Sequence, residues 1–163
     1  MSKVFAISDL HFGHQNIIRF CNRPFRDSET MDTYLIDRWN AVVGDDDVTK
    51  VVGDFAMGPP ATDGFIAGKL GLLNGEIHIV PGNHDQPVSK YGQSGIVKIV
   101  EDFNLENKVK VMPDLHSFEV VTVFTCTGAR RGRFYEVGVD IYGGPVELTG
   151  DLRYLNKPNG WKL

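Results

Sequence analysis

The stretch VFAISDLHFGH, residues 4–14, decides the reading of this chain. Lys3 to Ser8 is a short apolar run ending on a polar residue, the pattern of a buried strand. It runs directly into Asp9-Leu10-His11, where two residues able to bind a metal are separated by one apolar residue. The same event occurs twice more. Val48–Val52 reads as a second strand and runs into Gly53-Asp54. Glu76–Val80 reads as a third and runs into Pro81-Gly82-Asn83-His84-Asp85.

Helical patterns separate these strands. From Glu29 to Val43, Met31, Leu35, Ile36, Trp39 and Val42–Val43 recur at helical spacing, with Ser28 as the expected N-cap and Gly44 as the stop. Thr62–Leu73 is a weaker helix, interrupted by Gly64, Gly68 and Gly71. Strands alternating with helices predict a parallel sheet layered with helices. In such a sheet, ligands bind in the crevice at the carboxyl ends of the strands. That places Asp9, His11, Asp54, Asn83 and His84 around one point.

Beyond residue 90 the character changes. Lys108–Met112, Ser117–Thr125 and Phe134–Tyr142 are rich in Val, Phe and Tyr, with no helix-length segment between them, and are expected to pair mainly antiparallel. The expected organisation is a single domain over 1–163. Strand and helix alternate in 1–90, 91–150 is mainly β, and 151–163 is a tail with Trp161 as its anchor.

Composition bounds the function. A chain of 163 residues suits one domain burying roughly two-thirds of its unfolded surface. Hydrophobic residues at 42% and charged residues at 23% are ordinary globular values. The net charge of −4 argues against a partner held mainly by bulk phosphate electrostatics. Cys21 and Cys126 lack CxxC spacing and read as two thiols in a reducing compartment. No apolar run approaches the roughly 20 residues of a membrane span, and no signal-peptide pattern is visible, so a cytoplasmic, non-membrane protein is expected.

Mixed oxygen and nitrogen ligands without thiolate suit Mn, Fe or Zn better than a structural cysteine site. A carboxylate shared by two ions about 3.5–4 Å apart suits displacement at phosphorus. Two side chains have separate readings. Asp85 is expected to support its turn, and His78, alternating with Ile77 and Ile79, to point from the other face of its strand.

At Asp9-x-His11, Gly53-Asp54 and Gly82-Asn83-His84-Asp85 the sequence resembles the calcineurin-like metallophosphoesterases. It looks closest to a small bacterial and phage branch, in which the first motif continues as HFGHQNIIRFCNRPF, residues 11–25. The similarity runs from Val4 to about Val121 and resumes over Phe134–Asp140. It implies a layered α/β fold, a β-sandwich flanked by helices, and hydrolysis of a phosphomonoester or phosphodiester by a metal-bound hydroxide. By the same resemblance Asp9 and His11 would hold a first divalent ion, Mn²⁺ foremost, with Fe, Zn or Ni as alternatives. Asp54 would bridge to a second ion and act in catalysis, Asn83 would bind that second ion, and His84 would sit beside the scissile phosphate. His14 and Arg23 are candidates for binding a substrate phosphate, with a capped helix and a solvated arginine as the alternative. Nucleotides and nucleic-acid ends are among the candidate substrates.

The resemblance also has a gap. The family adds one histidine after the GNHD motif and a Gly-His-x-His pair before its last strands. Here Gly128-Ala129-Arg130-Arg131-Gly132 occupies the pair's place, and His116 precedes a strand rather than ending one. Arginine has no lone pair to offer a metal. One well-held ion, with the second site in doubt, is the expectation. Arg130 and Arg131, with Arg133, either bind phosphate oxygens over the crevice, form a solvated turn, or mark a replaced segment. The functions left open are a metal-dependent phosphoesterase, a non-catalytic relative that binds a phosphate ligand or protein partner, and a purely structural role.

Overall fold

The computed structural model describes residues 1–82, 84–85, 95–112, 138–148 and 161, without the side chain of residue 141. In chain order the elements are β1 (Val4–Ile7), α1 (Gln15–Phe20), α2 (Ser28–Asn40), β2 (Val48–Val52), α3 (Asp63–Leu72) and β3 (Glu76–Val80). They continue with α4 (Ile96–Asp102), β4 (Val109–Val111), α5 (Val139–Tyr142) and β5 (Val146–Glu147). The strands form one five-stranded sheet in the order β4-β3-β2-β1-β5. β1 to β4 run parallel, and β5 pairs antiparallel with β1. The chain has a mixed α/β fold with helices flanking the sheet.

Strand alternation sorts the side chains onto two faces. Phe5, Ile7, Val51, Ile77, Ile79 and Val109 face one way, into a core shared with Met31, Leu35 and Trp39 of α2, Ile66 and Leu70 of α3 and Ile99 of α4. Ala6, Val52 and Val80 face the other way, with Met112 and Leu148 packed against them. His78 is on that second face, where Glu76 accepts hydrogen bonds from His78 and from Lys110 across the strand pair. Its structural use follows from strand alternation, as the sequence predicts. The expected second strand layer falls on Ser117–Thr125 and Phe134–Val137, outside the described residues.

Several local expectations are corrected. The N-cap of α2 is Asp27, whose carboxylate accepts from the Thr30 amide at 2.8 Å, so Ser28 is already helical. Aspartate at this position also suits the positive end of the helix dipole. Thr62 caps α3 through the Phe65 amide. The region after residue 90 is not mainly antiparallel among the described residues. α4 lies within it, β4 pairs parallel with β3, and Val139–Tyr142 is a helical turn where a strand was expected. β4 is a three-residue edge strand following a helix, and a crossover of that kind delivers a parallel neighbour. The anchoring expected of Trp161 is met by Phe25 and Tyr34, whose ring centroids lie 5.0 and 5.8 Å away.

Candidate metal centre

The carboxyl ends of β1, β2 and β3 are neighbours because those strands are adjacent and parallel. Pairing continues past the strands and ties the following loops together. The Asp9 amide donates to Gly53 O at 3.3 Å, and the His11 amide to Asp54 O at 2.9 Å. The Phe12 amide donates to Phe55 O at 2.9 Å. The Gly53 amide in turn donates to Val80 O at 2.9 Å. The first two motifs are thereby laced side by side.

Three non-glycine residues here adopt left-handed backbone: Asp9 (φ 58°), His11 (φ 56°) and Asp54 (φ 56°). That conformation costs an L-residue on the order of 1–2 kcal/mol, and observed strain of this kind gathers at functional sites. With Asp9 and His11 both turned this way, their side chains share one side, while Leu10 between them is fully buried in the core. This is the physical content of the D-x-H spacing.

The donor atoms of Asp9, His11 and Asp54 all lie within 4.8 Å of one another, and all three residues are buried. Ser8 Oγ donates to Asp9 Oδ2 at 2.6 Å. Asp54 Oδ1 accepts from the His84 amide at 3.3 Å, and Asp54 Oδ2 lies 3.8 Å from His11 Nε2. His11 Nδ1 is buried without a hydrogen-bond partner. Burial, chiefly, pushes the Asp9 carboxyl up to about 6, with the nearby Asp54 charge adding to the rise and Ser8 opposing it. Burial also pushes the His11 imidazole down to about 3, helped by Arg23, His14 and His84. Two crowded carboxylates with a neutral imidazole, whose Nε2 faces Asp54, form a set that a divalent cation would relieve by pairing with the carboxylates and the imidazole together. The residues fit a hard or borderline divalent ion bound through O, N and O.

Two further histidines border this group. The His14 ring is 5.3 Å from that of His11, and the His84 ring 5.5 Å from it. His14 is buried, with Nδ1 unpartnered, and burial followed by the neighbouring His84 holds its pKa below the ordinary value. The structure thus brings together Asp9, His11, Asp54, His84 and His14. Asn83, Arg130 and Arg131, together with His116 and Ala129, lie outside the described residues.

Arg23 departs from the expectation of a substrate-phosphate ligand. Its side chain is wholly inaccessible and its guanidinium is engaged by Asp140 and by the carbonyls of Asp9 and Leu10. A guanidinium enclosed in this way has no donor left for a ligand. Asp85 holds the turn, as expected. Its Oδ1 accepts from the Phe55 amide and its Oδ2 from the Gly82 amide, both at 2.9 Å, joining the loops that follow β2 and β3.

Two supporting residues were not anticipated. Asp32 is buried, accepting from the Gly13 amide at 3.1 Å and pairing with Lys69 at 2.9 Å, so it pins the chain just past His11. Its signal was present in the sequence: Asp32, Leu35, Ile36 and Trp39 fall at i, i+3, i+4 and i+7, which puts a carboxylate on an apolar helix face. Asp140 carried no such signal, because only the fold brings it to Arg23.

The sequence profile of the calcineurin-like phosphoesterases matches residues 2–159. The chain belongs to that family. Among curated relatives, an uncharacterized protein of Methanocaldococcus jannaschii is 44% identical over 91 residues, which is 56% of this chain and 51% of that protein. The gene 66 protein of Mycobacterium phage L5 is 33% identical over 87 residues, 53% of this chain and 42% of that protein. The chain therefore spans about half the length of the curated relatives it matches. Among solved structures, a protein of unknown function from Aquifex aeolicus is similar with a TM-score of 0.48 at 20% identity, covering 69% of this chain and 52% of the other. A phosphopantetheinyl hydrolase from Mycobacterium tuberculosis is similar with a TM-score of 0.37 at 24% identity, covering 68% and 35%. No helix among the described residues is long and apolar enough to cross a membrane.

Proposed function

We propose that this protein is a metal-dependent phosphoesterase whose first ion is held by Asp9, His11 and Asp54. The observation that carries the reading is the convergence of these three buried donors on strained backbone at the ends of β1 and β2. A divalent ion bound there would supply Lewis-acid charge to a phosphate oxygen and lower the pKa of a coordinated water. The chain's own residues do the rest. Asp9, oriented by Ser8, and His11 present their donors from one turn. Asp54, oriented by the His84 amide, faces the same point from β2. His84 is half-buried at the rim, close enough to His11 to meet a phosphoester there, where its ring would steady developing charge or give a proton to the leaving oxygen. His14, whose ring lies 5.3 Å from that of His11, is the candidate for a further phosphate contact. Asn83 completes the proposal as a ligand to a second, weaker ion. Mn²⁺ is the proposed metal, and the substrate is a phosphomonoester or phosphodiester, with nucleotides and nucleic-acid ends as the classes to test.

The test is hydrolysis of a chromogenic phosphodiester with added Mn²⁺, comparing the protein with Asp54→Asn. Metal-dependent turnover that falls at least a hundredfold in the variant is expected. Equal rates for the two proteins would overturn the reading in favour of a non-catalytic phosphate-binding relative, the alternative motivated by Ala129 and Arg131.

A further inference from the structure

The proposed metal centre leaves one buried charge without a task. Arg23 follows α1, and its guanidinium lies beneath the turn that carries Asp9 and His11. All five of its N–H donors are engaged. Nε donates to Asp140 Oδ1 at 2.7 Å. Nη2 donates to Asp140 Oδ2 at 3.0 Å and to Asp9 O at 2.7 Å. Nη1 donates to Leu10 O at 2.9 Å and faces Met31 Sδ at 3.4 Å. The Trp161 ring covers it, 5.5 Å from Cζ to centroid.

Two of these acceptors are consecutive carbonyls of the D-x-H turn. A chain that alternates into left-handed backbone at Asp9 and again at His11 turns the carbonyls between them out of the sheet ladder. Buried carbonyls need donors. One planar fork can serve two successive carbonyls and a carboxylate together, whereas a lysine ammonium offers three donors from a single point. Asp140 comes from far along the chain and is seated independently of Arg23. Gly138 bridges to Ser8, and the Val139 amide donates to Ser8 O at 3.2 Å, beside the end of β1.

We propose that Arg23 and Asp140 form a positioning pair that holds the Asp9–Leu10–His11 turn in its ligand-presenting conformation and thereby sets the affinity of the metal centre. This rests on the metal-binding reading above. Neither residue contacts the ion or the substrate; both act through the turn's backbone.

Arg23→Lys and Asp140→Asn test it with two readouts. The first is Co²⁺ and Mn²⁺ affinity by calorimetry, with the Co²⁺ visible spectrum reporting ligand geometry. The second is amide hydrogen exchange of the metal-free protein at His11 and Phe12, against Ile77 and Ile79 in β3. Arg23→Lys is expected to unfold cooperatively yet bind metal on the order of 10–100-fold more weakly, the range found when groups supporting metal ligands are altered. An altered Co²⁺ spectrum and at least tenfold faster exchange at His11 and Phe12, with Ile77 and Ile79 unchanged, complete the expected result. Asp140→Asn keeps the shape of the side chain, shows the same effects in milder form, and carries the test if Arg23→Lys does not fold. Wild-type affinity, spectrum and exchange in the folded variants would overturn the positioning role. If the wild-type protein binds neither ion, the metal-centre reading fails, and the exchange measurement alone decides whether Arg23 holds the turn.

Discussion

Gly82 and Asp54 approach so closely that a side chain at 82 cannot exist without moving the proposed bridging carboxylate. A Cβ built on Gly82 would stand 2.3 Å from Asp54 Oδ1, 2.5 Å from the Asp54 amide nitrogen and 2.9 Å from Gly53 Cα. Two of those neighbours are backbone held in the sheet's extended pairing, so the clash has no easy relief. The glycine of the third motif is there to let β3's loop pass close over Asp54 at the end of β2.

Gly82→Ala is therefore expected to displace Asp54, costing about 1–3 kcal/mol or somewhat more as overpacking and abolishing tight metal binding. Gly68→Ala in α3 is the matched contrast, because nothing lies within 4 Å of a Cβ there. That change should stabilise the protein by roughly 0.5–1 kcal/mol through helix propensity. Denaturant unfolding and calorimetric metal titration check both; a neutral Gly82→Ala would contradict the geometry.

Asp32→Ala should lower the denaturant midpoint strongly. It leaves Lys69, mostly buried, without its carboxylate and the Gly13 amide without its acceptor. Breaking a buried pair on one side costs about 3–5 kcal/mol. The slope of the transition should be unchanged, since the unfolded chain is altered at one side chain only.

Metal uptake should release a proton in acid but not at alkaline pH. In the metal-free protein the Asp9 carboxyl, raised to about 6, holds a proton below that pH, and the ion must displace it. His11, lowered to about 3, keeps its lone pair throughout this window and does not compete. Affinity is accordingly flat above pH 7 and falls about tenfold per unit as pH drops through 6. Calorimetry in buffers of different ionisation enthalpy should count about one proton released at pH 5 and none at pH 8.

Metal should also raise the melting temperature, because the three ligands converge only in the folded chain. An ion at a hundred times its dissociation constant adds about 2.7 kcal/mol. Thermal denaturation with Mn²⁺, and again after chelation, should show a reversible upward shift that Asp54→Asn lacks. An equal shift in the variant would place the ion elsewhere.

Much of this was legible in the residues. The three strands, their two helical crossovers and the convergence of Asp9, His11, Asp54 and His84 follow from period-2 and helical patterns together with the rule that parallel strands share a functional end. Those are local signals, each contained within a dozen residues. Asp32 was legible too, as a carboxylate on an apolar helix face, and could have been found.

Arg23 was not legible. Among exposed-looking neighbours in HFGHQNIIRFCNRPF it has the composition of a phosphate ligand, and only tertiary structure turns it inward to Asp140, which is 117 residues away. The same is true of the contact between Gly82 and Asp54, and of Val139–Tyr142, whose β-rich residues form a helical turn because Gly138 docks beside Ser8. The sequence by itself determined which residues could bind a metal and at which ends of which strands they stand. Tertiary structure decided which polar groups converge on the proposed metal centre and which are enclosed beneath it, because that depends on burial and on partners remote in the chain, and no local pattern encodes either.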